Sequence, residues 1–166
     1  RSAFYGGVSA IELGVGGVRR VQLDVDPTEL QRRLVLAYTG ASRNSGINNW
    51  DVMVRRINGD AAVTHAFEAI GQAAASMRDA LEADDWTAVG VLMAAEWHAR
   101  KRLAPGVTTP EIDQLLDRAR FAGALAGKVC GAGGGGCLVC IVDPARKAEV
   151  ETTLSAGGAR VLPFAV

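Results

Sequence analysis

The residues best suited to chemistry form a short window that is almost entirely glycine, and it reads Gly131, Ala132, Gly133, Gly134, Gly135 and Gly136. A loop without Cβ atoms can adopt positive φ angles and present N–H groups to an anion or to a closely packed neighbour. A simple hairpin turn needs only one or two glycines. Five glycines cost about 2–5 kcal/mol relative to alanine, because they add entropy to the unfolded chain. The window therefore predicts a functional loop rather than a plain turn.

The same window contains the spacing G-x-G-x-x-G, which indicates a dinucleotide site only when a strand precedes it and a helix follows. Here the next residues, Cys137 to Val142, are β-prone, and a helix start comes only at Asp143 and Pro144. The phosphate-loop spacing G-x-x-x-x-G-K-[ST] does not occur in the sequence. The sequence context thus disfavours both of these nucleotide-binding motifs.

A second group of hydrogen-bonding side chains follows the apolar run that ends at Tyr38, and it consists of Thr39, Ser42, Arg43, Asn44 and Ser45. Loops at strand ends are favoured ligand positions, and arginine can bind phosphate through two parallel hydrogen bonds. We expect this loop to bind a phosphorylated polyol; the alternative is a polar loop in which Asn48 or Asn49 caps the next helix. Lys128, just before the glycine window, is either a charge near a phosphate or a solvated lysine at a strand edge.

Three cysteines surround the glycine window, and two of them, Cys137 and Cys140, have the spacing C-x-x-C. Residues i and i+3 of a strand point to opposite faces, so this pair does not suit a redox or zinc site. A metal site that included Cys130 would need a distant histidine, and we expect His65 and His98 to lie at helix surfaces. The sequence therefore predicts that the cysteines are buried packing residues. It supplies no metal ligand and no catalytic residue.

The elements that precede these residues can be predicted from hydrophobic patterning. Two strand-like runs, Val8–Leu13 and Val18–Leu23, flank a glycine-rich turn and predict a hairpin. The apolar run Leu34–Tyr38 predicts a central strand buried on both faces. Helical patterns follow over residues 50–81, with a break at 58–60, and over residues 86–103.

A third helix is predicted to begin at Thr108-Thr109-Pro110-Glu111, where Thr108 and Glu111 have the spacing of a capping box. Beyond it, the pattern predicts strands over residues 128–130, 137–142 and 159–164, with a helix over residues 144–156. From Leu34 onward the order is strand, helices, strand, strand, helix, strand. This order predicts an α+β fold of the ferredoxin-like split βαβ type, with extra helices in the first crossover.

Composition excludes several classes of function. The 18 basic and 18 acidic side chains give a net charge of zero, which disfavours a general nucleic-acid binder or a polybasic membrane-surface protein. The longest apolar run has six residues, whereas a membrane span needs about 20. The first residues lack the apolar segment of a secretory signal, so we expect a cytoplasmic location.

The stretch Lys128-Val129-Cys130-Gly131-Ala132-Gly133-Gly134-Gly135-Gly136-Cys137 resembles the third conserved motif of the GHMP kinases, a family that includes galactokinase, homoserine kinase, mevalonate kinase and phosphomevalonate kinase. The segment Leu36–Gly40, with Arg43 and Ser45, is similar to the sugar branch, especially to D-glycero-D-manno-heptose phosphate kinases. Residues 108–113 and 123–127 match that branch in place and spacing. The resemblance implies that Gly131–Gly136 backs the phosphate site and contacts substrate. It also implies that Thr39, Gly40, Arg43, Ser45 and Lys128 bind a sugar or sugar phosphate.

The sequence departs from that family in what it lacks. The second family motif, P-x-x-x-G-L-G-S-S-A, which cradles ATP and supplies a Mg²⁺-binding serine, does not occur here, and neither do the first motif and the Gln-Asp with the expected catalytic base. The resemblance thus implies the C-terminal half of a kinase, with residues 1–25 as a remnant hairpin of the N-terminal domain and residues 26–166 as the C-terminal domain. ATP and Mg²⁺ would be bound mainly by the missing half.

On this interpretation the chain alone is inactive, and its partners are the N-terminal half and a small sugar-like substrate. The alternative is a non-catalytic module of the same fold that binds a small ligand or a protein. An unpaired half would also expose the apolar face that meets its partner, which favours self-association.

Overall fold

The computed structural model describes residues 6–41 and 49–166. Their elements follow in the order β1 Ser9–Gly14, β2 Gly17–Gln22, α1 Pro27–Arg33, β3 Leu34–Tyr38, α2 Asn49–Ile57, α3 Ala61–Glu82, α4 Trp86–Lys101, α5 Pro110–Phe121, β4 Ala124–Val129, β5 Cys137–Val142, α6 Lys147–Ala156 and β6 Arg160–Val161. A 3₁₀ turn at Pro144–Arg146 leads into α6. These elements confirm the predicted α+β class and the order of strands and helices from Leu34 onward.

The strands β3 to β6 form one antiparallel sheet in the spatial order β4-β5-β3-β6. This is the strand order that a ferredoxin-like fold requires, and β3 lies inside it as predicted. Burial along β3 alternates, however, because Val35 and Ala37 are buried whereas Leu34, Leu36 and Tyr38 are only partly covered. The prediction of burial on both faces was wrong, because the second face of β3 is only partly covered, with Leu34 at the edge of an open cavity between the sheet and α3 and α4.

Helices cover both faces of the sheet. On one face, α5 and α6 enclose the largest cluster of buried residues, to which β5 contributes Leu138, Cys140 and Val142. On the other face, Ile141 packs with residues of α3 and α4, among them Val89. The sheet is therefore the middle of three layers, and the ends of its strands are free to carry loops.

Two helices of the connection between β3 and β4 begin at residues whose side chains cap them. Asp60 separates α2 from α3 as the predicted break, and its carboxylate accepts a hydrogen bond from the Val63 N–H at 3.1 Å. At the start of α5 the capping residue is Thr109, whose hydroxyl accepts from the Ile112 N–H at 3.3 Å. The predicted capping role of Thr108 was wrong, because its hydroxyl donates to Asp113 at 3.0 Å instead.

Two strands differ in length from their predictions. The strand β4 begins at Ala124 rather than Lys128, because Ala124 already pairs with Val142 across the sheet, with a bulge before Ala126. The last strand is limited to Arg160–Val161, and only the Leu162 N–H extends the pairing, to the Leu36 carbonyl at 2.8 Å. Pro163 lacks an N–H and cannot continue the ladder.

The hairpin β1–β2 forms a sheet of its own, with Ser9 paired to Gln22. It is attached to α3 through an ion pair in which Arg78 contacts Glu12 at 3.2 Å. Leu13 and Val15 near its tip are exposed. None of the helices in the described ranges has the length and apolar character needed to cross a membrane.

Candidate functional site

The glycine window forms the loop between β4 and β5, and every glycine in it has a left-handed backbone. The φ angles of Gly131, Gly133, Gly134, Gly135 and Gly136 range from +76° to +144°. Residues with a Cβ rarely adopt such angles, so the sequence places glycine at each position where the loop geometry requires it. This explains why the loop contains five glycines where a simple hairpin turn needs one or two.

One side of the loop rests on the turn that precedes α5. The Gly134 N–H donates to the Val107 carbonyl at 2.9 Å. A Cβ atom on Gly133 would overlap the same carbonyl oxygen and lie 2.9 Å from the Val107 Cα. Val107 is buried, so the turn has little room to move away. Gly133 is therefore required by close backbone packing as well as by its φ angle.

The other side of the loop is joined to the end of β3. Both the backbone N–H and the hydroxyl of Thr39 donate to the Gly136 carbonyl, each at 2.9 Å. In return the Gly136 N–H donates to the Ala41 carbonyl at 3.1 Å. Gly40, with φ of +82°, forms the turn between them. The two predicted site segments, separated by almost a hundred residues in sequence, thus meet at one point.

Some backbone N–H groups of the loop take no part in these contacts. Within residues 6–41 and 49–166, no hydrogen bond uses the backbone N–H groups of Gly131, Ala132 or Gly135. N–H groups in successive turn conformations form concave sites for anions. The loop can therefore hold a phosphate oxygen while Gly134 and Gly136 keep it attached to its supports.

Lys128 lies on β4, and its ammonium group forms an ion pair with Glu96 of α4. Glu96 also accepts a hydrogen bond from Nε of Arg100 at 2.6 Å. Glu96 is 8% exposed. Burial alone would raise the pKa of this carboxyl group, but the hydrogen bonds from Lys128 and Arg100 outweigh that effect and lower the pKa below its usual range.

Two cavities adjoin this ion-pair cluster. A cavity of about 300 Å³ lies beside the glycine loop and is lined by Ala132, Val107, Asn49, Arg100 and apolar side chains. A larger cavity of about 500 Å³ lies between the sheet and α3 and α4, and Lys128 lines it together with mainly apolar residues. Arg100 borders both cavities. Sequence reasoning missed Arg100 and Glu96, because nothing in their helical spacing connects them to the strand that holds Lys128.

The remaining predicted site residues can be placed as follows. Arg43 and Ser45, with Ser42 and Asn44, lie outside the described residues. Cys140 is buried, and its burial raises the pKa of its thiol to about 12. The prediction of three buried cysteines was wrong for the other two, because Cys130, just before the loop, is exposed and Cys137, just after it, is only partly buried. His65 and His98 are exposed, as predicted.

Comparison with known families adds to this geometry. Residues 77–160, which make up half of the chain, match the family model described as "GHMP kinases C terminal". The chain belongs to the GHMP kinase C-terminal family. The matched segment contains the glycine loop, Lys128 and Glu96, and it begins after Thr39.

Among the relatives of this GHMP domain is a D-glycero-alpha-D-manno-heptose 7-phosphate kinase from Campylobacter jejuni, 30% identical over 120 residues that cover 72% of this chain and 35% of the relative. A crystal structure of a D-glycero-D-manno-heptose 1-phosphate kinase from Bacteriodes thetaiotaomicron superposes with a TM-score of 0.61 at 25% identity, over 97% of this chain and 42% of that one.

The fold is also that of an L. major mevalonate kinase solved in complex with R-mevalonate, with a TM-score of 0.78 at 21% identity over 98% of this chain and 51% of that one. The chain therefore spans between about a third and half of the length of these relatives. The resemblance seen in the motifs and the ferredoxin-like order is confirmed at the level of family and fold.

Proposed function

We propose that this GHMP kinase C-terminal domain forms one wall of the active site of an ATP-dependent kinase that phosphorylates a sugar or sugar phosphate, with a heptose phosphate as the preferred substrate class. The junction between the glycine loop and the end of β3 carries this proposal. It brings a loop with unused backbone N–H donors next to the segment whose sequence is similar to the sugar branch. The relative with a heptose 7-phosphate kinase name supports the same substrate class.

Phosphoryl transfer requires mainly the positioning of the reacting groups and the stabilisation of negative charge, and the role proposed for each residue follows from these two requirements. The free N–H groups of the loop would contact phosphate oxygens. Thr39 holds the loop in place, and Gly40 and the adjoining Arg43 and Ser45 would bind the substrate. Lys128 would contribute positive charge from the side of Glu96.

ATP and Mg²⁺ are assigned mainly to the N-terminal half in this proposal. Within the described ranges no three His, Cys, Asp or Glu side chains come together as a metal site. The hairpin at residues 1–25 is interpreted as part of that N-terminal half, and a cytoplasmic location, where ATP is available, belongs to the same proposal.

The first experiment concerns the natural gene. We expect the coding sequence upstream of Arg1 to contain P-x-x-x-G-L-G-S-S-A and a Gln-Asp just before the present chain. The protein translated from that longer frame should transfer the γ-phosphoryl group of ATP to a heptose phosphate in a coupled assay. If neither motif is present, the kinase proposal fails, and the non-catalytic binding module replaces it.

The second experiment tests the substrate loop in that longer protein. Arg43→Ala should raise the KM for the sugar more than the KM for ATP, because the lost guanidinium binds the sugar side of the reaction. Arg56→Ala is the control, since Arg56 is an exposed arginine on the next helix. An unchanged KM for the sugar in Arg43→Ala would remove the substrate loop from the proposal.

A further inference from the structure

Arg100 lies near the C-terminal end of α4 and borders the 300 Å³ cavity in which Ala132 of the glycine loop and Asn49 of α2 also lie. The cavity is at the lower end of the roughly 300–1,000 Å³ typical of small-molecule sites. Its other walls are apolar. Among the described residues that line it, Arg100 is the charged side chain, and its guanidinium gives this part of the cavity a positive charge.

The contacts of Arg100 use only one edge of its guanidinium. Nε donates to Glu96 at 2.6 Å, and Nη2 forms an ion pair with the same carboxylate oxygen. Within residues 6–41 and 49–166, Nη1 makes no hydrogen bond. An arginine presents five N–H donors in a fixed fork, and bidentate binding of carboxylate or phosphate requires two of them. Glu96 thus orients the side chain and leaves donors for a ligand.

The charge balance of the cluster also favours an anion. Glu96 carries one negative charge, whereas Arg100 and Lys128 each carry a positive charge, so the cluster has a net charge of +1. No acidic side chain lines the smaller cavity in the part of the chain that the structure describes. The charge of this cavity therefore favours the anionic group of a small molecule. The backbone N–H of Ala132, which makes no hydrogen bond within the described residues, adds a neutral donor to the same cavity.

We propose that Arg100 binds the anionic group of the acceptor substrate, a phosphate or a carboxylate, in the cavity beside the glycine loop. This inference rests on the proposed function, because it names the chemical class of the group by which the kinase would recognise its acceptor substrate. The apolar walls would contact the carbon skeleton. The ligands named for the relatives share this chemistry, since heptose 7-phosphate carries a phosphate and R-mevalonate carries a carboxylate.

The binding test uses the 166-residue chain, with inorganic phosphate and acetate as probes in an NMR titration. Arg100→Ala should weaken phosphate binding at least tenfold, and Arg100→Lys should weaken it by a smaller factor, because lysine keeps the charge and the pair with Glu96 but loses the planar fork. Arg102→Ala, an exposed arginine two residues away, is the matched control and should change binding less than twofold. If Arg100→Ala does not give the NMR spectrum of a folded protein, the phosphate affinity of Arg100→Lys tests the inference instead. Unchanged phosphate binding in a folded variant of Arg100 overturns the inference.

The catalytic test uses the longer kinase and separates this inference from the proposed function. Arg100→Ala should raise the KM for the anionic sugar at least tenfold and leave the KM for ATP within twofold. Comparison of the KM values for heptose phosphate, mevalonate and unphosphorylated heptose identifies which anionic group Arg100 recognises. An active kinase whose acceptor KM ignores Arg100→Ala contradicts the inference but not the function. Phosphate binding that depends on Arg100 in a protein without kinase activity contradicts the function and, with it, the assignment of the bound anion to an acceptor substrate, whereas the anion site itself remains.

Discussion

The hairpin β1–β2 and the hairpin β4–β5 both turn through glycine, but their glycines meet different surroundings. A Cβ atom on Gly14 or Gly16 of the first turn would have nothing within 4 Å, and neither residue has a left-handed φ. In the second loop all five glycines are left-handed, and Gly133 lies against a buried turn. Glycine content alone is thus a poor guide to function, whereas glycine that is required by both φ and packing marks a built site.

The largest expected difference between the hairpins is in their response to a large side chain. Gly133→Val should lower the free energy of unfolding by about 3 kcal/mol or more, because a left-handed β-branched residue is added to a clash with Val107. The same change in the longer kinase should abolish turnover. Gly16→Val should shift stability by less than about 0.5 kcal/mol. Urea unfolding of both variants measures the contrast, and equal losses would show that the two turns are equivalent.

A second difference is expected between Glu12, in the first hairpin, and Glu96 of α4, whose carboxylate pairs with Lys128 of the second hairpin. Glu96→Gln should cost about 2 kcal/mol, because it leaves Lys128 and Arg100 partly buried without a full counter-charge. Glu12→Gln in the first hairpin removes a partly exposed carboxylate that pairs with Arg19 and Arg78, and it should cost less than about 1 kcal/mol. The measurement is denaturant unfolding at neutral pH, and a larger cost at Glu12 would reverse the comparison.

Glu96 should also contribute to the acid sensitivity of the chain. Its pKa in the folded state is lowered below the usual value of 4.5, so its contribution is fully present above that value. The contribution is lost as the pH falls through the lower folded pKa, because both states then bind the proton. The wild type should therefore lose stability relative to Glu96→Gln below about pH 4.5. A constant difference between pH 7 and pH 3 would contradict this expectation.

A smaller effect is expected where the end of β3 contacts the loop. Thr39→Val removes the hydroxyl that donates to Gly136 but keeps the backbone bond, so we expect a loss of about 1 kcal/mol. Thr39→Ser keeps the donor and is the matched control. In the first hairpin the hydroxyl of Ser9 contacts Gln22 at 3.4 Å in an exposed position, and Ser9→Ala should cost less than about 0.5 kcal/mol.

The smallest change in stability is expected at Cys130. Cys130→Ser should stay within about 0.5 kcal/mol of the wild type, because the residue is exposed. Iodoacetamide should label Cys130 in the native protein, although slowly, because desolvation also raises the pKa of this thiol. Cys140, buried and with a pKa of about 12, should react only after unfolding. Mass spectrometry of the labelled peptides gives the order, and native labelling of Cys140 would indicate that the loop-bearing hairpin opens.

Periodicity was sufficient for most of the fold because the relevant signals are local. The apolar run of β3, the break at Asp60 and the glycine window are all visible within a few residues of sequence. The start of β4 was missed because Ala124 and Leu125 are followed by alanine and glycine, which have low strand propensity, and pairing with β5 extends the strand to them.

The candidate site was only half visible in the sequence. Glycines and the polar segment after β3 could be found from composition, but nothing in the sequence places Thr39 against Gly136. Glu96 and Lys128 are 32 residues apart and meet only because α4 packs against β4. Arg100 could have been found only from that packing, since an arginine in the last turn of a helix is ordinarily explained by the helix dipole.

The position of β3 inside the sheet has a consequence for how the protein is made. Thr39 must wait for Gly136, 97 residues later in the chain, before their contact can form. At about 5–20 residues per second, a ribosome needs roughly 5–20 s to supply that distance. During this interval β3 is an apolar segment without the neighbouring strands β5 and β6. Chaperone binding or aggregation therefore competes with folding, which is slow because it depends on contacts between residues far apart in sequence. The contact between Thr39 and the glycine loop is consequently among the last to form, and a nascent chain halted before Gly136 cannot make it.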